Sequence, residues 1–224
     1  MNDIMERMAP ISSSQSFPFQ CRQCGACCRH VRESVPLESL DLYRLAKYLK
    51  EKGEASSVDE VLDKYAEPVL LDECGYMMYV LKTTGEEASC IFLKENHCSI
   101  HRAKPRACRT YPIEINPGEK EKYEQFLALD YRHHFNGPRR SVAKWLGRYF
   151  IKEDQEFVDC DAGAALELAR LLRQVPQKEL AHAINLFIYY KYTAMELERP
   201  FMEQFKENTK KLIAALEKIV KKEK

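Results

Sequence analysis

Apolar residues recur at helical spacing along much of the chain. In the first half they predict a helix over about 37–52, which begins after Pro36 and ends at Gly53. Ser57 and Glu60 have the spacing of a capping box, so a second helix is predicted to begin at Ser57. In the second half the same period predicts helices over 142–150, 166–175, 177–197 and 200–222.

Strand-like sequence is confined to short stretches. Residues 76–84 are rich in β-prone side chains, and Gly85 separates them from a second such run at 89–93, which predicts a hairpin. Residues 123–129 are another predicted strand. The predicted fold is therefore α+β and mainly helical: a small cysteine-rich region with a β-hairpin, followed by a helical C-terminal half.

Length and these patterns suggest one domain with three parts. The 224 residues are enough for one compact domain. We expect residues 1–16 to be a flexible lead-in, residues 17–118 to form the cysteine-rich region, and residues 119–224 to form a helical part packed in the same domain.

Charge and hydropathy exclude several partners. Lys and Arg number 35 against 34 Asp and Glu, and the net charge of +1 gives no general attraction to nucleic acid or anionic lipid. The most apolar stretch, 181–190, is shorter than the roughly 20 residues of a transmembrane helix, so no membrane association is expected. No secretory signal is readable in residues 1–16, so we expect a cytoplasmic protein.

The chain contains 9 cysteines, and eight of them lie between Cys21 and Cys108. An odd number of cysteines in a reducing compartment argues against a disulfide framework. Metal binding or thiol chemistry is therefore the predicted use.

The first cysteine group is Cys21-x2-Cys24-x2-Cys27-Cys28. Two residues between cysteines allow one tight turn to direct both sulfurs at the same ion, and Gly25 suits a corner with positive φ. Cys21, Cys24 and Cys27 are thus predicted metal ligands. Adjacent residues rarely face the same ion, so Cys28 is predicted as a ligand of this site or a second one, or as a reactive thiol.

A second group comprises Cys90, Cys98 and Cys108, which we also predict to be metal ligands. Thiolate clusters are anionic, so they require nearby cations and hydrogen-bond donors. Arg106 and Arg109 flank Cys108 and are predicted to supply this charge, with a solvated turn as the alternative.

Several histidines lie close to the cysteines in the sequence. His30, His97 and His101 could each replace a thiolate, although a single histidine is more often a surface or core residue. The pair His133-His134 has no partner motif and receives no assignment.

The cysteines belong to three ordered blocks: Phe19-x-Cys21-x2-Cys24-Gly25-x-Cys27-Cys28, Cys90-x-Phe92-Leu93 with Cys98 and Ile100, and Pro105-x2-Cys108-Arg109-x-Tyr111-Pro112. Together they resemble a known family, the YkgJ-type cysteine cluster proteins, also described as the CxxCxxCC domain. The resemblance implies that the chain chelates zinc or iron. The family is also similar to flagellin lysine methylases, which share the cysteine pattern and are associated with an iron-sulfur cluster.

The resemblance bears on three further positions. The family usually has Arg before the Pro of its third block, where this chain has Lys104, a point charge in place of a bidentate donor. Some members carry a later Cys-Pro-Gly, and the resemblance implies that Cys160-Asp161-Ala162-Gly163 is its degraded counterpart, so Cys160 is a predicted ligand. Cys74 lies outside the blocks and is expected to be a buried thiol.

These observations predict a metal-binding protein, with a helical half that could serve as a surface for a protein partner. An iron-sulfur cluster, of the four-iron type, is favoured by the consecutive CxxCxxC spacing, and zinc is the alternative. A second hypothesis is an iron-sulfur enzyme that modifies protein lysine, and a third is thiol redox chemistry at Cys27 and Cys28. No dinucleotide, phosphate-loop, zinc-protease or nucleophile-elbow motif is present.

Overall fold

The computed structural model describes residues 7–118 and 122–221. They form two compact units. The first, which we call the cysteine unit, comprises the chain up to Val35 and Thr83–Gln155. The second, the helical unit, comprises Pro36–Lys82 and the chain from Glu156 onward.

The α-helices of the described residues are α1 (Ser39–Glu51), α2 (Val58–Tyr65), α3 (Arg106–Thr110), α4 (Val142–Tyr149), α5 (Lys152–Leu172), α6 (Leu180–Ile188) and α7 (Phe201–Lys221). Short 3-10 turns occupy Ala26–Cys28, His101–Ala103, Arg132–His134 and Gln177–Glu179, and a π-helical turn, Tyr189–Thr193, follows α6. The strands are β1 (Met8–Pro10), β2 (Ser16–Pro18), β3 (Ala66–Leu70), β4 (Met77–Leu81), β5 (Thr83–Thr84), β6 (Ser89–Cys90), β7 (Leu93–Lys94), β8 (His97–Cys98), β9 (Ile113–Pro117), β10 (Tyr123–Ala128) and β11 (Arg139–Ser141).

The cysteine unit is built from small antiparallel sheets. Its largest sheet has the strand order β1-β10-β9, in which Leu127 lies opposite Ile113 and Met8 opposite Ala128. β2 pairs with β11, and two very short hairpins, β5–β6 and β7–β8, carry Cys90 and Cys98. Each strand is too short to be stable alone, so packing of side chains between the sheets must hold the unit together.

Aromatic side chains fill the centre of the cysteine unit. The buried rings of Phe17 and Phe19 pack edge-on against Trp145 at centroid distances of 5.8 and 5.4 Å. Trp145 Nε1 donates a hydrogen bond of 2.8 Å to the carbonyl of Thr110. This contact fixes α3, which carries Cys108, against α4.

A buried ion pair holds the other side of α3. Arg109 donates from Nη2 to Asp154 Oδ1 at 2.9 Å, and Asp154 is only 1% exposed. Asp154 Oδ2 also accepts from the backbone N–H of Ile151 at 3.0 Å, just before α5 begins. The Asp154 carboxylate therefore neutralises the charge of Arg109 and also accepts a hydrogen bond from a backbone N–H at the start of α5, which has no partner within the helix.

The core of the helical unit consists of apolar faces of its helices. The rings of Phe157, Phe201 and Phe205 contact one another at centroid distances of 5.0 to 5.8 Å. Leu45 of α1 and Phe187 of α6 are fully buried. None of the described helices is long and apolar enough to cross a membrane.

The structure confirms the α+β, mainly helical fold: of the described residues, 48% lie in helices or helical turns and 18% in strands. α1 and α2 lie where the pattern placed them, and the Ser57 hydroxyl accepts from the Glu60 N–H at 3.2 Å. Glu60 completes the capping box by accepting from the N–H of Ser56 instead of Ser57.

The predicted hairpin is only partly present. β4 pairs along its whole length with β3, and only Thr83 and Thr84 pair with Ser89 and Cys90. The β-prone run 76–84 therefore pairs with two different strands, its first part with β3 and its last two residues with β6. β3 provides five consecutive residues for pairing, whereas β6, after Gly85, provides two.

Replacing Asp154 with Asn should destabilise the cysteine unit by about 3 kcal/mol, because the partly buried Arg109 charge loses its counter-ion. The free energy of unfolding in urea measures this change. Glu167→Gln, which breaks the exposed pair with Arg170, is the matched control and should leave stability nearly unchanged. Equal effects of the two substitutions would contradict a structural role for the buried pair.

Candidate metal centre

The CxxCxxCC segment forms a tight loop that ends in the 3-10 turn Ala26–Cys28. Gly25 has φ of +70°, and a Cβ at this position would lie 3.0 Å from Leu93 Cδ1 and 3.1 Å from the carbonyl of Asn96. Glycine is thus required both by the backbone conformation and by the close approach of the β7–β8 hairpin.

Arg29 connects this loop to both short hairpins. Its guanidinium donates to the carbonyl of Cys24 at 3.2 Å and to the side-chain oxygen of Asn96, and it forms an ion pair with Glu87 at 3.4 Å. The N–H of His30 also donates to the Glu87 carbonyl at 2.9 Å. The loop is therefore held by contacts with residues about 60 positions later in the sequence.

Cys90 and Cys98 lie on β6 and β8, one in each short hairpin. Burial raises the pKa of both thiols, while hydrogen bonds from the backbone N–H groups of Phe92 and Ile100 favour their thiolate forms. A donor two residues after the cysteine is the kind of contact that stabilises a metal-bound sulfur.

Five thiols interact electrostatically and form what we call the thiol group: Cys27, Cys28, Cys90, Cys98 and Cys108. Cys27 and Cys28 come from the motif loop, Cys90 and Cys98 from the hairpins, and Cys108 from α3. Burial, followed by the charges of Cys90, Cys27 and Cys98, raises the pKa of Cys108. The tertiary structure thus brings together the two cysteine groups that the sequence predicted separately.

Cys27 and Cys28 differ in their protonation. A hydrogen bond from the Cys28 thiol lowers the pKa of Cys27 to about 6, against the effect of burial and with help from the charge of Lys104. The same hydrogen bond, together with burial and the charge of Cys27, raises the pKa of Cys28. In the metal-free protein Cys27 is therefore a thiolate at neutral pH, and Cys28 is its donor.

Lys104 is the cation that faces the thiol group. Its charge favours the thiolate forms of Cys27, Cys98 and Cys108. It also lowers the pKa of His101, more strongly than burial does. In the sequence, Lys104 was notable only because the family usually has Arg at this position. That departure is the signal from which a role of Lys104 at the thiol group could have been predicted.

Arg106 and Arg109, the cations predicted for this role, make several contacts with carbonyl and carboxylate oxygens. Arg106 donates to the carbonyl of Ile115 at 2.9 Å, and its guanidinium lies 5.9 Å from the centroid of the Phe150 ring. Arg109 donates to the carbonyl of Lys104 at 3.1 Å in addition to Asp154. A direct role of either arginine at the sulfurs stays a prediction.

Cys24 lies beside two histidines that the sequence left unassigned. Its Sγ is 3.5 Å from Nε2 of His133 and 3.3 Å from Nε2 of His134, and the three atoms all lie within 4.8 Å of one another. We call these three side chains the Cys/His group. No sequence spacing indicates it, since more than 100 residues separate Cys24 from the histidine pair.

His134 is the buried member of the Cys/His group. It is 3% exposed, and its Nδ1 lies 3.2 Å from the hydroxyl of Tyr111. Burial, and then the nearby His133 and Arg22, lower the pKa of His134, so its imidazole is neutral at pH 7. A neutral imidazole is the form that ligates metals.

The remaining candidates are more dispersed. Cys21 is exposed, as are His30, His97 and His101. Cys160 is half-buried on α5 in the helical unit, and burial raises its pKa. Cys74, expected to be buried, is partly exposed because it lies in the turn between β3 and β4, where its N–H donates to Asp72.

The difference between Cys27 and its neighbours predicts selective alkylation of the metal-free protein. Cys27 should react with iodoacetamide at pH 7 before the three thiols whose pKa values are raised by burial, because the thiolate is the nucleophile. Its rate should fall as the pH decreases through about 6. Mass spectrometry of briefly alkylated protein measures the order.

Cys28→Ala is the control for this assignment, because it removes the donor to Cys27. The pH midpoint of Cys27 alkylation should then move up toward the usual thiol value of about 8.5. A midpoint that stays in place in this variant would show that the hydrogen bond is not its cause.

One protein family matches the chain, over residues 20–130, and its description is "CxxCxxCC: Putative zinc- or iron-chelating domain". The match begins just before Cys21, contains every member of the thiol group, and ends before His133. Searches of curated proteins and of solved structures gave no match. The motif blocks, the clustered thiols and this match agree, and through residues 20–130 the chain belongs to the CxxCxxCC family.

Proposed function

We propose that this protein is an iron-sulfur protein in which Cys27, Cys90, Cys98 and Cys108 hold a four-iron cluster. The observation that carries the proposal is that each of these four thiols interacts electrostatically with the other three. Four cysteine ligands are what a four-iron cluster requires.

The surroundings of the four sulfurs support an anionic cofactor. Backbone N–H groups of Phe92 and Ile100 donate to two of the sulfurs, and Lys104 supplies a positive charge. Cys28 adds a thiol donor to Cys27. Because four thiolates around such a cluster leave a net negative charge, these contacts offset the cost of keeping it away from bulk water.

The choice of iron over zinc rests on the nature of the ligands. Each of the four proposed ligands is a cysteine sulfur, and the histidine pair lies beside Cys24 instead. Zinc also accepts four thiolates, but zinc sites commonly mix cysteine and histidine, whereas four cysteines without a histidine are the usual ligand set of a four-iron cluster. When bound, such a cluster supplies a one-electron redox centre.

The cluster also has a structural function in this proposal. Its ligands come from the motif loop, two hairpins of two-residue strands, and the five-residue helix α3. Elements this short gain little stability from their own hydrogen bonds, so a shared metal centre would stabilise the cysteine unit directly. Modification of protein lysine stays an alternative that follows from the family resemblance.

Anaerobic purification followed by iron and sulfide analysis tests this function. We expect a brown protein with about four iron and four sulfide per chain. Cys108→Ser should lose most of the iron and lower the melting temperature at the same time, because binding and folding are coupled. Cys74→Ser, a matched substitution in the helical unit, should retain both.

Two results would overturn the proposal. A colourless protein that contains zinc and no sulfide would exclude the iron-sulfur cluster, and unchanged iron in Cys108→Ser would exclude the ligand set. The same analysis of Cys21→Ser and Cys160→Ser checks two of the predicted ligands that lie outside the thiol group.

A further inference from the structure

We propose that Cys24, His133 and His134 form a second metal site, separate from the thiol group, and that this site binds Zn²⁺. It draws on one motif cysteine and on two histidines that lie beyond the end of the family match at residue 130. The site therefore goes beyond the iron-sulfur function proposed above and does not depend on it.

The distances agree with tetrahedral zinc coordination. With zinc about 2.3 Å from sulfur and about 2.0 Å from nitrogen, tetrahedral geometry places a sulfur and a nitrogen ligand about 3.5 Å apart. Cys24 Sγ lies 3.5 Å from His133 Nε2 and 3.3 Å from His134 Nε2. Both imidazoles thus present the same nitrogen, Nε2, to one sulfur at the required separation.

The second ring nitrogen of His134 has the partner that a zinc ligand needs. In the tautomer with its proton on Nδ1, His134 donates to the Tyr111 hydroxyl at 3.2 Å and leaves the Nε2 lone pair facing Cys24. Zinc-ligating histidines commonly use their other ring N–H in this way, which fixes the orientation of the ring. Edge contacts with Phe19 and Tyr111 hold the same ring in place.

The chemistry of the donors selects the metal. One sulfur and two imidazole nitrogens suit zinc, whereas an iron-sulfur cluster uses cysteine ligands almost throughout. His133 is exposed and Cys24 is partly exposed, so a zinc ion held by these side chains would be accessible to water. Three protein ligands with an open fourth position are typical of zinc sites that exchange or activate a ligand.

Zinc would also link two segments of the cysteine unit. Cys24 belongs to the motif loop, and the histidines belong to the 3-10 turn Arg132–His134. The backbone N–H of Gln20, just before the motif loop, donates a hydrogen bond of 3.0 Å to the carbonyl of His134. This backbone hydrogen bond holds the two segments in register before any metal binds, so the three ligands are already close together.

The test measures zinc in protein whose thiol group already holds its own metal. Elemental analysis after anaerobic purification and zinc addition should give one tightly bound zinc per chain in addition to the iron. Zinc X-ray absorption should show one sulfur and two imidazole nitrogens. Tyr111→Phe, which removes the partner of His134, should weaken zinc binding by about tenfold or more in competition with a chelator.

His133→Ala is the decisive variant, because His133 is exposed and the contacts of the His134 ring with Phe19 and Tyr111 do not involve it. It should lose this zinc while iron content and visible spectrum stay unchanged. His97→Ala, a matched substitution of an exposed histidine, should keep the zinc.

The outcomes separate the two proposals. If the thiol group holds zinc instead of iron, wild-type protein should contain two zinc ions, and His133→Ala and Cys108→Ser should each remove one. Full zinc retention in His133→Ala would overturn the second site. Joint loss of iron and zinc in that variant would overturn it too, because Cys24 and the thiol group would then form a single site.

Discussion

Electrostatic repulsion among neighbouring sulfurs is the constraint on which the cysteine unit depends. Burial and the charges of adjacent thiolates both raise the pKa of Cys108, so without a bound cation this cysteine favours its protonated thiol. A metal reverses this preference, because it replaces the protons with a stronger positive charge. Backbone N–H donors and Lys104 partly prepare the site for that exchange, and the buried pair of Arg109 and Asp154 keeps α3 in position.

The cysteines of the first half lie in different environments. Cys24 lies with a buried imidazole and an exposed one, whereas Cys27, three residues later, lies with thiols. Tyr111 stands near both, since the charges of Cys27 and Cys24 contribute to its raised pKa after burial. In our two proposals, this single loop therefore contributes ligands to two different kinds of metal site. A mixed sulfur and nitrogen set suits zinc, and an all-sulfur set suits iron-sulfur chemistry.

Much of the fold was predictable where the signal is local. The capping residues Ser57 and Glu60 placed the start of α2, the β-prone run 123–129 gave β10, and apolar spacing gave α7 within a few residues. Pairing was harder to predict. β4 joins β3 because five residues of each strand match in register, and a sequence pattern carries no information on which strand is opposite another. For the same reason no local feature of Met8–Pro10 indicated that it pairs with β10.

The sequence alone determined the mainly helical α+β class and the cysteine motif that identifies the family, because spacing within a loop is a local property. Only the tertiary structure decided which residues meet. It placed the histidine pair beside Cys24, Lys104 opposite the thiols, and residues 36–82 in the helical unit. The physical reason is that these contacts join segments separated by tens of residues, and their proximity depends on packing of the whole unit and not on the properties of either segment.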